Sequence, residues 1–391
     1  MSKYNDSQKL RAKEQTKMKH EILEHYLDPW LTKISYAGSR VVYVDGFAGP
    51  GIYPDGWKGS PLRAMKKADD VLTESDSVKD RLDEFHCVFI ENDRARYQDL
   101  EKHVNDLDEQ VDDLITTNCV KAEFEDWARN YIAQQEGAYP DPSLFFIDPF
   151  GYGDIPFDVL SELYQLREQS YELLITFMGG KMAQWKDGPN HQKAISAALE
   201  MDDWDNRISE NMSKDDQARA LSELYQRKWK EDGGAEFTLP FEMFEEGKRQ
   251  ICYHLIHVTN HLDGLKVMKD TMFNAGADEQ FAYLGPDHVG FEEEQLSFAE
   301  FGTTTDFDER IKQFANDLHE IYKNQSIEFE KLLHKTLDTN VFQVKHYREA
   351  FDILTEQKKL ETHYQNPNTS QGYPLDTILE FKDPVAITDF V

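Results

Sequence analysis

The sequence predicts an α/β fold, a doubly wound and mostly parallel sheet carrying a helical insertion and a C-terminal winged-helix-like unit. Three observations point there. Apolar β-rich runs alternate with helical stretches over residues 41–180, which is the pattern of a parallel sheet. Three of those runs end on an acidic residue, at Asp45, Glu91 and Asp148. The first passes directly into a glycine-rich corner, VVYVDGFAGPGIYPDGWKGSP over 41–61.

The elements follow in order. Ile22, Leu23, Tyr26, Leu27 and Trp30 give one apolar face of an N-terminal helix. Lys3, Lys9, Arg11, Lys13, Lys17 and Lys19 lead into it against only Asp6 and Glu14. That basic island is either a solvated amphipathic start or a nucleic-acid contact. Val41 to Val44 is the first strand, and Ser60-Pro61 suits the start of a helix. Ser75 to Asp83 reads as a surface loop, Phe85 to Ile90 as the second strand, and the residues around Leu100 as a polar helix. Val111 to Thr116 is expected as the third strand, followed by a helix over Ala122 to Ile132. Leu144 to Ile147 is the fourth strand, Pro156 to Leu166 a helix, and Leu173 to Met178 the fifth strand. Residues 181–235 form a polar helical insertion anchored by Trp185, Trp204 and Trp229. Phe237 to Phe244 and Cys252 to Thr259 then pair as antiparallel strands about a charged turn at Glu245 to Arg249, and Leu265 to Phe273 is a helix. Beyond about Asp306, the helix face of Tyr347, Ala350, Phe351 and Leu354 precedes Leu360 to Tyr364, a turn at Asn366-Pro367-Asn368, and Pro374 to Phe381. Helix plus hairpin is the tail of a winged helix. The expected division is 1–40, 41–300 and 301–391.

Composition bounds the function. The 391 residues, 39% hydrophobic, can bury a large core. With 74 acidic against 43 basic residues the net charge is −31. This fits either a high-salt cytoplasm or an acidic protein of ordinary cytoplasm. Three scattered cysteines, Cys87, Cys119 and Cys252, form neither a disulfide framework nor a zinc site, and the histidines offer no convergent ligand set, so no metal is expected. No apolar run approaches the ~20 residues that span a membrane, and no signal peptide opens the chain, so a cytoplasmic protein is expected.

Acidic strand ends and glycines at the carboxyl edge of a doubly wound sheet mark a ligand site. Gly46, Gly49 and Gly51, with Asp45 and Phe47, form the corner, and the glycines admit close backbone approach. Glu91 is placed to accept hydrogen bonds from two ribose hydroxyls. Glu123-Phe124, after the third strand, is placed against an adenine. The glycine spacing departs from G-x-G-x-x-G, and G-x-x-x-x-G-K-[ST] is absent. A phosphate-free cofactor, S-adenosylmethionine, therefore fits best. DPFG, Asp148 to Gly151, resembles the Asp-Pro-Pro-Tyr motif of amino-group methyltransferases, with Phe for one Pro and Gly for the aromatic residue. The likeness implies that Asp148 orients a target amine and Phe150 stacks on the base. Cys87 and Cys119 lack the surroundings of a nucleophile.

Lys19 to Trp30 (KHEILEHYLDPW), Tyr43 to Pro61, Phe89 to Glu91, Phe146 to Gly151 and Leu255 to Phe273 together resemble the three-Cys-motif partner protein family. The resemblance implies a class I methyltransferase-like Rossmann domain, S-adenosylmethionine as cofactor, and a partner with a three-cysteine motif similar to radical S-adenosylmethionine enzymes. Three functions compete: a methyltransferase acting on an amino group of DNA or RNA, a non-catalytic adaptor that keeps the methyltransferase shell, and a DNA-binding regulator working through the C-terminal unit. The helix Lys345 to Lys358 mixes both charge signs and lacks the clean basic face that the last of these requires.

Overall fold

The computed structural model describes residues 11–135, 140–152, 155–245, 250–276, 281–284, 304–365 and 372–383. Lys3, Lys9, the turn at 246–249 and the turn at 366–368 lie outside them. The described chain divides into two compact units, residues 11–276 with 281–284, and residues 304–383.

In the first unit, helix α1 (Glu14–Ile34) precedes strand β1 (Arg40–Asp45) and α2 (Ser60–Glu74). The short α3 (Asp76–Lys79) leads to β2 (Glu84–Ile90), α4 (Arg94–Asp108), β3 (Ile115–Val120) and α5 (Phe124–Gln134). β4 (Ser143–Ile147), α6 (Phe157–Gln165) and β5 (Tyr171–Phe177) complete the parallel half. The insertion holds α7 (Gly179–Trp185), α8 (Pro189–Leu199) and α9 (Lys214–Glu231). β6 (Phe237–Phe244), β7 (Ile251–Thr259), α10 (Leu262–Ala275) and β8 (Ala282–Tyr283) close the unit.

The sheet order is β3-β2-β1-β4-β5-β7-β6-β8. β3 through β5 pair in parallel, while β7 runs antiparallel to both β5 and β6. The fold is thus doubly wound and mostly parallel, with the antiparallel closure that the sequence predicts. Strand direction of winding reverses between β1 and β4, and such a reversal opens a crevice at the carboxyl ends of those strands. Burial on both faces makes β1, β4 and β5 nearly continuous apolar runs. On one face Val42, Val44, Ile90, Phe145 and Ile147 pack with Phe124 of α5, Phe157 of α6 and Trp229 of α9. Helices α2 and α10 contact α1, the helix that carries Lys19.

Several expectations need correction. The third strand is Ile115–Val120, not Val111 to Thr116. Asp112 caps the preceding turn instead, its Oδ1 accepting the Leu114 N–H at 3.1 Å. The stretch expected as a loop at Ser75 to Asp83 contains α3, because Val78 is fully buried and holds that turn down. Trp204 and Trp229 are buried anchors, but Trp185 is 54% exposed, its ring 5.4 Å from that of His191. Ser60 starts α2 from inside the helix, with Gly59 in the cap position.

In the second unit, α11 (Thr304–Tyr322), β9 (Ser326–Glu328), α12 (Phe329–Thr336), α13 (Val344–Glu356), β10 (Leu360–His363) and β11 (Ile378–Phe381) form a helical core with a three-stranded antiparallel sheet, order β10-β11-β9. Phe314 stacks on Phe342 at 4.2 Å, and Phe329, Tyr347 and Phe351 pack edge to face around them. The predicted hairpin is therefore real, with β9 added along its free edge.

Candidate functional site

Parallel register brings three acidic residues to one edge. Asp45 ends β1, Glu91 follows β2, and Asp148 follows β4. Asp45 is wholly buried. Its Oδ1 accepts the Phe47 N–H at 3.2 Å, and the Ser60 side chain also hydrogen-bonds to it. Burial pushes its carboxyl up to about 7, opposed by those two hydrogen bonds and reinforced by the charges of Asp148 and Glu91.

The glycine corner ties three strand ends together. Gly46 N–H donates to Phe146 O and Ala48 N–H to Ile90 O, each at 2.9 Å. Gly49 and Gly51 sit at φ +65° and +78°, in the left-handed region that side chains with a Cβ rarely adopt. A Cβ on Gly49 would meet nothing within 4 Å, whereas one on Gly46 would lie 2.8 Å from Phe124. Phe47, Phe124 and Trp127 follow one another at ring spacings of 5.9 Å and wall this side.

Glu91 is almost as buried as Asp45. Its Oε1 accepts the Asp93 N–H at 2.8 Å and lies 3.0 Å from the Arg96 guanidinium, and the Gly49 N–H bonds to the same carboxylate. Burial raises its pKa and Arg96 opposes that rise. Arg96 also lies 4.5 Å from the centre of the Phe150 ring, which is 61% exposed. Glu123 is the cap residue of α5, and its side chain makes no hydrogen bond to the first turn.

Asp148 is not free. Lys19 Nζ donates to both of its oxygens, at 2.5 and 2.6 Å, and also lies 4.8 Å from the Tyr253 ring centre. Lys19 is only 4% exposed, so it belongs neither to a solvated face nor to an outward basic patch. The neighbouring His20 is buried and receives the Trp57 Nε1–H on Nδ1 at 3.1 Å. Burial, then the charge on Lys19, push its pKa down to about 3, so the ring is neutral at physiological pH. Trp57 belongs to a small flap: Ile52 bridges Lys58, and Tyr53 N–H donates to Trp57 O at 2.8 Å. Burial raises the Tyr53 phenol, with Asp148 and Asp45 adding to it.

Lys19, His20, Tyr53 and Trp57 are thus site residues that motif reading passed over. The signal was present for Lys19: it shares the apolar face of Leu23, Tyr26 and Trp30, where a lysine needs a buried partner. Cys87 and Cys119 lie on β2 and β3, and burial pushes both thiols up, Cys119 to about 12, so neither is a thiolate. In the second unit Glu361, His363 and Glu380 converge on the exposed hairpin; His363 bonds Glu380 at 2.8 Å and Lys382 pairs with both glutamates. Among the described residues no helix is long and apolar enough to cross a membrane.

Residues 291–367 match the GMT-like wHTH domain family, in keeping with the helix and hairpin of the second unit. No curated protein matches the chain. Among solved structures, it is similar to the O-methyltransferase from Bacillus cereus in complex with SAH, at 9% identity and TM-score 0.31, over 61% of this chain and 80% of that one. It is also similar to PKMT2 from Rickettsia typhi in complex with AdoHcy, at 9% identity and TM-score 0.28, over 62% of this chain and 56% of that one. The fold itself rests on strand order and register: a doubly wound, mostly parallel sheet with a winged helix-turn-helix domain after it.

Proposed function

We propose that this protein is an S-adenosylmethionine-dependent methyltransferase acting on an amino group of a nucleic acid. The observation that carries this reading is the left-handed glycine corner held between two buried carboxylates, Asp45 and Glu91, at the reversal point of the sheet. The donor set suits a ligand without phosphate: the corner offers carboxylate acceptors, and the nearby Arg96 is already paired with Glu91. The open space beside Gly49 leaves room for the ligand to approach the backbone. Glu91 would accept the ribose hydroxyls, Phe47 and Phe124 would wall the adenine, and Asp45, Gly46, Gly51 and Glu123 would complete the cradle.

The cofactor supplies an electrophilic methyl group on a sulfonium. Asp148 then has the task of accepting a hydrogen bond from the target amine, which aims the nitrogen lone pair at that methyl. To do so it must exchange Lys19 for the substrate amine. Phe150, exposed and faced by Arg96, offers a stacking surface to a base. The winged-helix match supports a nucleic-acid target, and the family resemblance supports a partner with a three-cysteine motif.

The adaptor reading has one observation in its favour: both oxygens of Asp148 are already taken by a buried lysine. Two measurements separate the readings. Calorimetry should detect S-adenosylhomocysteine binding that weakens at least about tenfold in Glu91→Ala; binding untouched by that change would remove the cofactor assignment. Transfer of labelled methyl to mixed DNA and RNA should fall about 100-fold or more in Asp148→Ala, as misplacement of a reacting group costs. Transfer that persists in the variant sinks the catalytic role. A wild type that transfers nothing yet captures the three-cysteine partner is the adaptor.

A further inference from the structure

At the opposite, amino-terminal edge of the sheet, a cavity of about 540 Å3 lies between the end of α1, the start of β5 and the first turns of α10. That volume falls within the ~300–1,000 Å3 of small-molecule sites. Trp30, Tyr36 and Val267 line it together with Lys33 and Asp263, which pair with each other at 3.3 Å, and Glu172 opens onto it.

Glu172 is an anomaly in its strand. β5 is buried throughout, and its other core positions are apolar or hydroxyl-bearing, yet this glutamate is only 5% exposed. Two buried groups hold its Oε2: the Tyr26 hydroxyl donates to it, and His257 Nε2 lies 2.7 Å away. His257 Nδ1 has no hydrogen-bond partner among the described residues. Burial keeps the Tyr26 phenol far above its ordinary range, so it is a neutral donor. Both neighbours thus take the same oxygen, Oε2. Among the described residues no lysine or arginine forms an ion pair with Glu172, and its Oε1 makes no hydrogen bond and is not sealed from the cavity.

The surroundings are shaped to this carboxylate. A Cβ on Gly264 would lie 2.9 Å from Oε2 and 3.0 Å from Oε1, so a larger residue there would push the carboxylate aside. Gly264 lies in the first turn of α10, where exposed N–H groups favour a negative charge. A buried carboxyl group is costly unless each of its oxygens finds a donor or a cation. Trp30 and Tyr36 add aromatic surface beside it, Arg81 stacking 3.9 Å from the Tyr36 ring centre.

We propose that this cavity binds a small arylalkyl ammonium compound, its –NH3+ on Glu172 Oε1 and its ring beside Trp30 and Tyr36. The site is separate from the glycine corner, and the proposal does not depend on methyl transfer.

The test is calorimetry on the full chain with phenethylamine and tryptamine, each set against its carboxylate counterpart, hydrocinnamate and indole-3-propionate. Both amines should bind and neither acid should. Binding should weaken at least about tenfold in Glu172→Gln. Because a buried substitution can unfold the protein, Val267→Phe, which fills the cavity from α10 without touching the hydrogen-bond network, should give the same loss. Asp45→Asn, at the other edge, should leave amine binding intact. Failure of wild type to bind either amine at millimolar concentration overturns the proposal. So does binding of amines and acids alike, or binding unchanged in both cavity variants.

Discussion

Asp45 shows how one buried group sets a pH dependence. Its ordinary value of 3.8 applies to the unfolded chain and about 7 to the folded one. The folded state therefore holds a proton that the unfolded state releases. This group's contribution to stability is fully present below about pH 4 and is lost as pH rises through about 7. Asp45→Asn keeps the shape and removes the charge. Its stabilising effect should grow by roughly 2–3 kcal/mol between pH 5 and pH 8. Urea midpoints at the two pH values measure this; an equal shift at both would mean that Asp45 is not held protonated. His20 works with the opposite sign. Its depressed pKa contributes stability above about 6.5 that is lost as pH falls towards 3, which adds to acid sensitivity at the same edge.

Among the elements, the glycine corner and α1 define the site. Gly49 and Gly46 are both small for different reasons: Gly49 because φ is +65°, Gly46 because Phe124 stands where its Cβ would go. Gly49→Ala should cost about 1–2 kcal/mol from backbone strain alone, and Gly49→Asn less, since Asn tolerates the left-handed region. Denaturation midpoints give the ranking; an alanine no worse than asparagine would show that the strain argument is wrong. The placing of α1 makes its basic start two things at once. Lys19 and His20 turn inward to the acidic edge, while Lys17 lies 5.2 Å from the Trp57 ring at the flap. A pattern of lysines along a sequence cannot separate these roles, because helical phase alone does not say what a face packs against.

At the scale of the whole molecule, the net charge of −31 dominates. Raising KCl from 0.1 M to 1 M shortens the screening length from about 10 Å to about 3 Å and weakens repulsion among surface carboxylates. The melting temperature should rise over that range, followed by circular dichroism. A flat or falling response would mean that local ion pairs such as Arg219 with Glu242 outweigh the net repulsion.

The strands were legible because burial on both faces leaves an unbroken apolar run, as in Leu144 to Ile147 and Leu173 to Phe177. The third strand lies at the sheet edge, where Thr116, Thr117 and Asn118 are polar, so no apolar run marks its position. A tryptophan such as Trp185 likewise carries no mark in the sequence of the side it faces. The sequence by itself determined the alternation of strands and helices, the acidic ends at Asp45, Glu91 and Asp148, and the glycine corner, because all of these are local consequences of hydrophobic period and turn chemistry. Only the tertiary structure decided that Lys19 closes on Asp148 and that Glu172 meets Tyr26 and His257 beside a cavity. Those pairings join residues more than 80 positions apart, and burial makes each carboxylate depend on whatever packing brings to it.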